Sequence, residues 1–305
     1  MFTKSTSNQY RLIKKQSKLG FSIIEISVVI LIIGILGVGA SKGSLIVRGA
    51  QLKSAQSLSI SSPVLSTPGL ALWLDAVSQK SFSSASDGSP IAVWHDINAL
   101  NATGTAATQQ ILSNQPIYLE KGINNLPSVS FIRSNNQCLS VSTGFDDNTE
   151  NVTIFIVWRP TTDGLSTLSL LEKYSNGSAY PYSLAAYSSG YVFATSDAST
   201  STVAAGDIVR RNEAVHLVTA MRAKSGIMQI WVNGIQDTSG VSDSTIETTA
   251  NDGNLFIGCK PDSSQYLDGD IGEVMIFSRI LKTAERESIE EYLSQKWAIR
   301  LGAAT

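Results

Sequence analysis

Three carboxylates fall within six residues in Asp268-Gly-Asp270-Ile-Gly-Glu273. Two carboxyl groups held a few ångströms apart can cleave a glycosidic bond, one protonating the leaving oxygen while the other attacks or activates water. The apolar stretch that follows, Val274-Met-Ile-Phe277, places the run at the entry to a core strand, where Asp268-Gly269 equally suits a turn. A fourth carboxylate, Glu25, sits near the start of the almost unbroken apolar segment 21–40. A charge there is costly and calls for a partner. The two histidines, His95 and His216, are far apart, and neither has a Cys or His at metal spacing. His216 lies in a strand pattern and reads as structural; His95 follows Trp94 in a loop and reads as packing or capping. No nucleophile-elbow, zinc-protease or phosphate-loop motif occurs.

The elements that must position these groups differ sharply along the chain. Residues 1–20 carry Lys4, Arg11, Lys14, Lys15 and Lys18 and no acid. In residues 21–40 the only clearly polar side chains are Ser22, Glu25 and Ser27. Twenty helical residues span about 30 Å, the thickness of a bilayer core, and the basic flank belongs on the cytoplasmic side. A helix is expected over 21–60, with Gly34, Gly37, Gly39, Gly43 and Gly49 allowing close packing in lipid and weakening it in water. Residues 61–68 form a Pro/Ser linker. Beyond them, short β-like runs alternate with turn residues, and Asn233-Gly234 is a hairpin signal. The chain closes on a helix with Thr283 as N-cap and Ile289, Tyr292, Leu293 and Trp297 on one face.

With 305 residues, a net charge of −2 and 16% charged residues, the chain has room for a large core and lacks a nucleic-acid surface. Cys138 and Cys259 either form one bridge in an extracytoplasmic domain or are two small buried residues. The tyrosines Tyr174, Tyr180, Tyr182 and Tyr187, with Asn176 and Gly177, make either a glycan-stacking surface or a half-buried hairpin.

The leader, Gly20, Phe21 and Glu25 resemble the type IV prepilin class of pilins and pseudopilins. That resemblance implies cleavage after Gly20 by a prepilin peptidase, methylation of the new amine at Phe21, and filament assembly in which Phe21 pairs with Glu25 of another subunit. Such a pair would offset the cost of a buried carboxylate and set the axial register. An ordinary secretory signal cleaved near Val38-Gly39-Ala40 and a plain signal anchor are the competing readings, and neither accounts for Glu25.

Residues 69–299 resemble the concanavalin A-like (laminin G-like) lectin/glucanase superfamily. The resemblance rests on Gly69-Leu-Ala-Leu-Trp-Leu-Asp75, Val93-Trp-His-Asp96, Gln229-Ile-Trp-Val-Asn-Gly234, Leu255-Phe-Ile-Gly258 and Leu267-Asp-Gly-Asp-Ile-Gly-Glu-Val-Met-Ile-Phe277. It implies an antiparallel jelly-roll sandwich. Glucanases on this fold carry E-x-D-x-x-E, but Asp268 here is one carbon short of the first glutamate. Laminin G-like modules often bind one calcium, for which Asp96, Asp146, Asp147, Asp262, Asp268 and Asp270 would be the oxygen donors; no other cofactor is expected.

The sequence therefore predicts a mainly β protein. Its parts are a leader (1–20), a membrane and assembly helix (21–60), a linker (61–68), a sandwich with a short C-terminal helix (69–299) and a tail (300–305). The expected function is that of a non-enzymatic pilin-like subunit, held in the bacterial inner membrane before it joins other subunits in an extracellular pilus or periplasmic pseudopilus. A minor tip adhesin binding glycans is the alternative, and a membrane-tethered glycoside hydrolase a third.

Overall fold

The computed structural model describes residues 23–302 apart from 99–104, 143–150, 163–166, 175–178, 198, 210–212, 225, 239, 244–252 and 261–264, and in the first helix it does not describe the side chains of 24, 25, 31–42 and 44. The chain divides into two compact units, Met1–Gly49 and Ala50–Thr305.

Helix α1 runs Ile23–Ile60. Within the first unit its described side chains leave Ile23, Val29, Ile30, Leu45 and Ile46 more than half exposed. Among the described residues no helix is long and apolar enough to cross a membrane. The helix expected over 21–60 is present across its described residues, Ile23–Ile60, and among the described residues no membrane span is found. Gly20 and Phe21 lie outside the described residues. Glu25 lies in α1, but its side chain is outside them too.

In the second unit the strands follow in order: β1 Leu70–Asp75, β2 Val93–His95, β3 Ala106–Thr108, β4 Ile117–Leu119, β5 Ser128–Phe131, β6 Leu139–Val141, β7 Asn151–Pro160, β8 Leu168–Lys173 and β9 Ala179–Tyr187. Then come β10 Gly190–Asp197, β11 Ser201–Ala205, β12 His216–Ala223, β13 Ile227–Val232, β14 Ile235–Gln236, β15 Val241–Ser242, β16 Leu255–Ile257 and β17 Gly269–Phe277. They form two antiparallel sheets. The first runs β14-β13-β12-β7-β17-β5-β4, with β1 paired to β17 and β15 to β13; the second runs β11-β10-β9-β8-β16-β6-β3-β2. The expected sandwich is confirmed. The Asn233-Gly234 turn joins β13 to β14 with both residues at positive φ (50° and 77°), as a two-residue hairpin requires.

Alternation along the strands builds two cores. Side chains such as Leu72, Ile154, Val218, Leu184, Phe193 and Ile276 fill the space between the sheets. Trp73, Phe155, Leu217, Met275 and Phe277 point to the other side of the first sheet. There they meet Ile289, Tyr292, Leu293 and Trp297 of helix α2 (Thr283–Trp297), together with Ala55 from the end of α1. The apolar face read from the sequence is the buried one. The N-cap, however, is Lys282 rather than Thr283, because the Glu285 carboxylate accepts the Lys282 amide at 2.8 Å and begins the helix one residue earlier.

Candidate functional site

The carboxylates of the 268–273 run separate into three tasks. A register shift between Ile271 and Glu273 turns Glu273 to the helix-covered side of the first sheet. Gly272 at that bulge lies beneath Trp297; an added Cβ would come within 2.6 Å of the indole ring. Glu273 is 1% exposed. Its Oε1 accepts from Trp73 Nε1 at 2.7 Å and Tyr292 Oη at 2.8 Å, and its Oε2 from Lys296 Nζ at 2.7 Å and Trp297 Nε1 at 2.8 Å. Both oxygens are saturated. Asp270 pairs with Arg159 through Nε at 3.1 Å and Nη2 at 2.5 Å, and Asp268 accepts the Arg133 amide at 2.7 Å. Glu273 and Asp270 are thus engaged in separate contacts, Glu273 beneath helix α2 and Asp270 with Arg159.

Around Glu273 lies a wholly buried polar cluster that the sequence did not reveal as a unit. Asp75, its cross-strand neighbour on β1, accepts from Lys296 Nζ at 2.8 Å, Ser59 Oγ at 2.8 Å and the Val77 amide at 2.9 Å. Gln56 Nε2 donates to the Val77 carbonyl at 3.1 Å. Burial pushes the Glu273 carboxyl up, against the opposing pull of Lys296, and raises the Tyr292 hydroxyl well above its usual range. The sequence signal was Tyr292 and Lys296, four apart on the otherwise apolar side of α2, together with Asp75 ending an apolar strand. Beside the cluster, a 670 Å³ groove runs between the end of α1 and the 78–80 turn, lined by Lys53, Ile60, Leu65, Trp73 and Ile97 among others.

The uncovered-sheet candidates sit elsewhere. Registers place Ser140, Phe256, Glu172, Ser183, Ala194 and Val203 in one row across β6, β16, β8, β9, β10 and β11. They lie on the side of the second sheet opposite the inter-sheet core. Tyr180 is half-buried, and burial raises its hydroxyl while Lys260 lowers it. Lys260 Nζ stands 4.9 Å from the Tyr180 ring centroid and 3.4 Å from Glu172 Oε2. Tyr174 meets Phe256 edge-on at 6.3 Å. Tyr182 instead turns inward and is fully buried. Asn176 and Gly177 lie outside the described residues. Glu172, Phe256 and Lys260 were missed by the sequence reading, because only strand register brings them to the tyrosines.

Among the described residues the expected calcium donors do not gather. Asp96 accepts the amides of Trp73 and Asn98, both at 2.9 Å, while Asp146, Asp147 and Asp262 lie outside the described residues. Among the described residues no three His, Cys, Asp or Glu side chains form a metal-sized group. His216 is buried between the Trp158 and Tyr191 rings. His95 Nε2 lies 3.5 Å from Ser83 Oγ. Cys138 and Cys259 form a disulfide.

The model of the concanavalin A-like lectin/glucanases superfamily matches residues 133–285, just over half of the chain. The chain belongs to this superfamily. No curated protein matches the sequence. Among solved structures, the superfamily head resembles botulinum neurotoxin type C, from a study in which cell entry depends on two ganglioside molecules. The likeness is 13% identity over 74% of this chain and 51% of that one, with a TM-score of 0.53. The botulinum neurotoxin serotype D binding domain matches at 13% identity, over 73% of this chain and 51% of that chain, with a TM-score of 0.52. A Trypanosoma rangeli sialidase with sialic acid matches at 14% identity, over 75% and 33% of the two chains, with a TM-score of 0.48. The chain thus spans about half the length of the toxin structures. At these identities the likeness is one of fold.

Proposed function

We propose that the chain is a type IV pilin-like subunit whose N-terminal helix carries a lectin-like head. The observation that bears most weight is the way the last turns of α1 are built into the head. Ala55 is 3% exposed, and Ser59 is buried and bonded to Asp75. A helix fastened in this way delivers the head wherever the helix is held. In this reading a peptidase cuts after Gly20, Phe21 receives a methyl group, and Phe21 and Glu25 of different subunits pair during assembly. Before assembly the segment resides in the inner membrane; afterwards the subunit stands in a pilus or pseudopilus. The disulfide fits an oxidising compartment. The test is mass spectrometry of the N-terminal peptide from sheared surface filaments. A methylated peptide starting at Phe21 is expected; peptides starting at Met1 or near Ser41 would overturn the reading.

A second reading, a minor tip adhesin, draws on the Tyr180, Lys260, Tyr174 and Phe256 corner and on the shared fold with toxin binding domains. Aromatic rings beside polar groups suit sugar stacking. Glycan-array binding that Tyr180→Ala abolishes is expected; equal binding by that variant would remove this surface from consideration.

A further inference from the structure

Lys296, Asp75 and Glu273 form a set whose chemistry exceeds a structural ion pair. The Lys296 and Asp75 side chains are both 0% exposed, and the ammonium nitrogen is 2.8 Å from the carboxylate oxygen. Glu273 touches the same nitrogen at 2.7 Å. Trp73, Trp297 and Tyr292 hold Glu273 rigidly, and their rings enclose the site. Ser59 Oγ and the Val77 amide aim at the two oxygens of Asp75. One cation faces two acids in a dry site, an arrangement that burial penalises.

We propose that this cluster is a self-modifying centre in which Lys296 and Asp75 condense to an intramolecular amide, with Glu273 as the catalytic proton carrier. Glu273 takes a proton from the Lys296 ammonium and passes it to an oxygen of Asp75, which becomes a neutral carboxylic acid beside a neutral amine. The free amine attacks the Asp75 side-chain carbonyl carbon, and a C–N bond forms. Negative charge that develops on oxygen is met by the Ser59 hydroxyl and the Val77 N–H. Glu273 then takes a proton from the attacking nitrogen and gives it to the departing hydroxyl, and the C–O bond breaks with loss of water. One ammonium and one carboxylate become one neutral amide and one water, Glu273 is regenerated, and no oxidant or co-reactant enters. Burial, which raises the proton affinity of Glu273, suits it to the first transfer. Exclusion of water favours a condensation, and the product replaces a buried ion pair with a neutral group. The bond would join β1, the first strand after α1, to the C-terminal helix α2. A load entering through the end of α1 would then reach a covalent link as well as the packed core.

The test uses the full chain, purified folded, then reduced, denatured and digested. A branched peptide containing Asp75 joined to Lys296, lighter than its two parts by one water, is the expected product. Only the separate Asp75 and Lys296 peptides from folded wild-type protein would overturn the proposal. Glu273→Gln is expected to abolish the branched peptide. Because that variant disturbs a buried cluster, Lys296→Arg serves as a second probe: it retains the cation but cannot form this amide, so a water-loss product persisting in it would assign the mass change to another site and overturn the proposal.

Discussion

Ser59 donates its hydroxyl to Asp75 Oδ2 at 2.8 Å, and this bond ties the last turn of α1 to the first strand of the sandwich. Both groups are buried. A hydrogen bond to a buried carboxylate is worth more than one between neutral groups. Ser59→Ala is therefore expected to destabilise the head by about 2 kcal/mol. Urea unfolding followed by tryptophan fluorescence would show a lower midpoint with an unchanged slope; an unchanged midpoint would mean that the helix end is not held through this contact.

Gly272 lies where Trp297 crosses β17, with ring atoms 2.6–2.8 Å from the position of a Cβ. Gly272→Ala must displace the indole and, with it, the Trp297 bond to Glu273. A loss of about 1–3 kcal/mol follows from overpacking alone. A thermal melt at or above the wild-type temperature would contradict the close approach.

Glu285 is held down to about 2 by hydrogen bonds from Arg279 and the Lys282 amide. Its carboxyl normally titrates at 4.5, so its contribution to stability is present above that pH and is lost as pH falls toward about 2. Glu285→Gln should lower the unfolding midpoint at neutral pH, and the gap from wild type should close between pH 4.5 and about 2. A gap independent of pH would show that the side chain acts by shape rather than charge.

The Cys138–Cys259 bridge closes a loop with a sequence separation of 121. Chain-entropy arguments give a bridge of this span about 5 kcal/mol of stabilisation. The paired Cys138→Ser, Cys259→Ser variant should unfold at markedly lower denaturant, while adding reductant to it should change nothing further.

For assembly, Glu25→Ala is expected to spare membrane insertion and reduce surface filaments. Electron microscopy of sheared preparations, with the membrane fraction as control, would check this. Normal filament yield would dismiss the register role of Glu25.

The sandwich was legible because period-two alternation and turn residues are local signals. The buried face of α2 followed from helical spacing. The short strands β3 and β4 carry too little pattern in three residues, and their pairing comes from β6 and β5. The placement of the 268–273 carboxylates was not legible for a related reason. A one-residue shift at Gly272 decides which face Glu273 occupies, and composition does not record such a shift.

The amino-acid sequence by itself determined the broad plan of the sandwich: short β-strands separated by turns and closed by an amphipathic helix. These depend on neighbours within a few positions, where spacing and side-chain type suffice. The tertiary structure alone decided that Asp75, Glu273 and Lys296 share one dry site, that Lys260 stands over Tyr180, and that the two cysteines meet. Those contacts join residues from distant parts of the chain or from separate strands and helices. They exist only because strand pairing and helix packing bring them together, and burial then sets their chemistry.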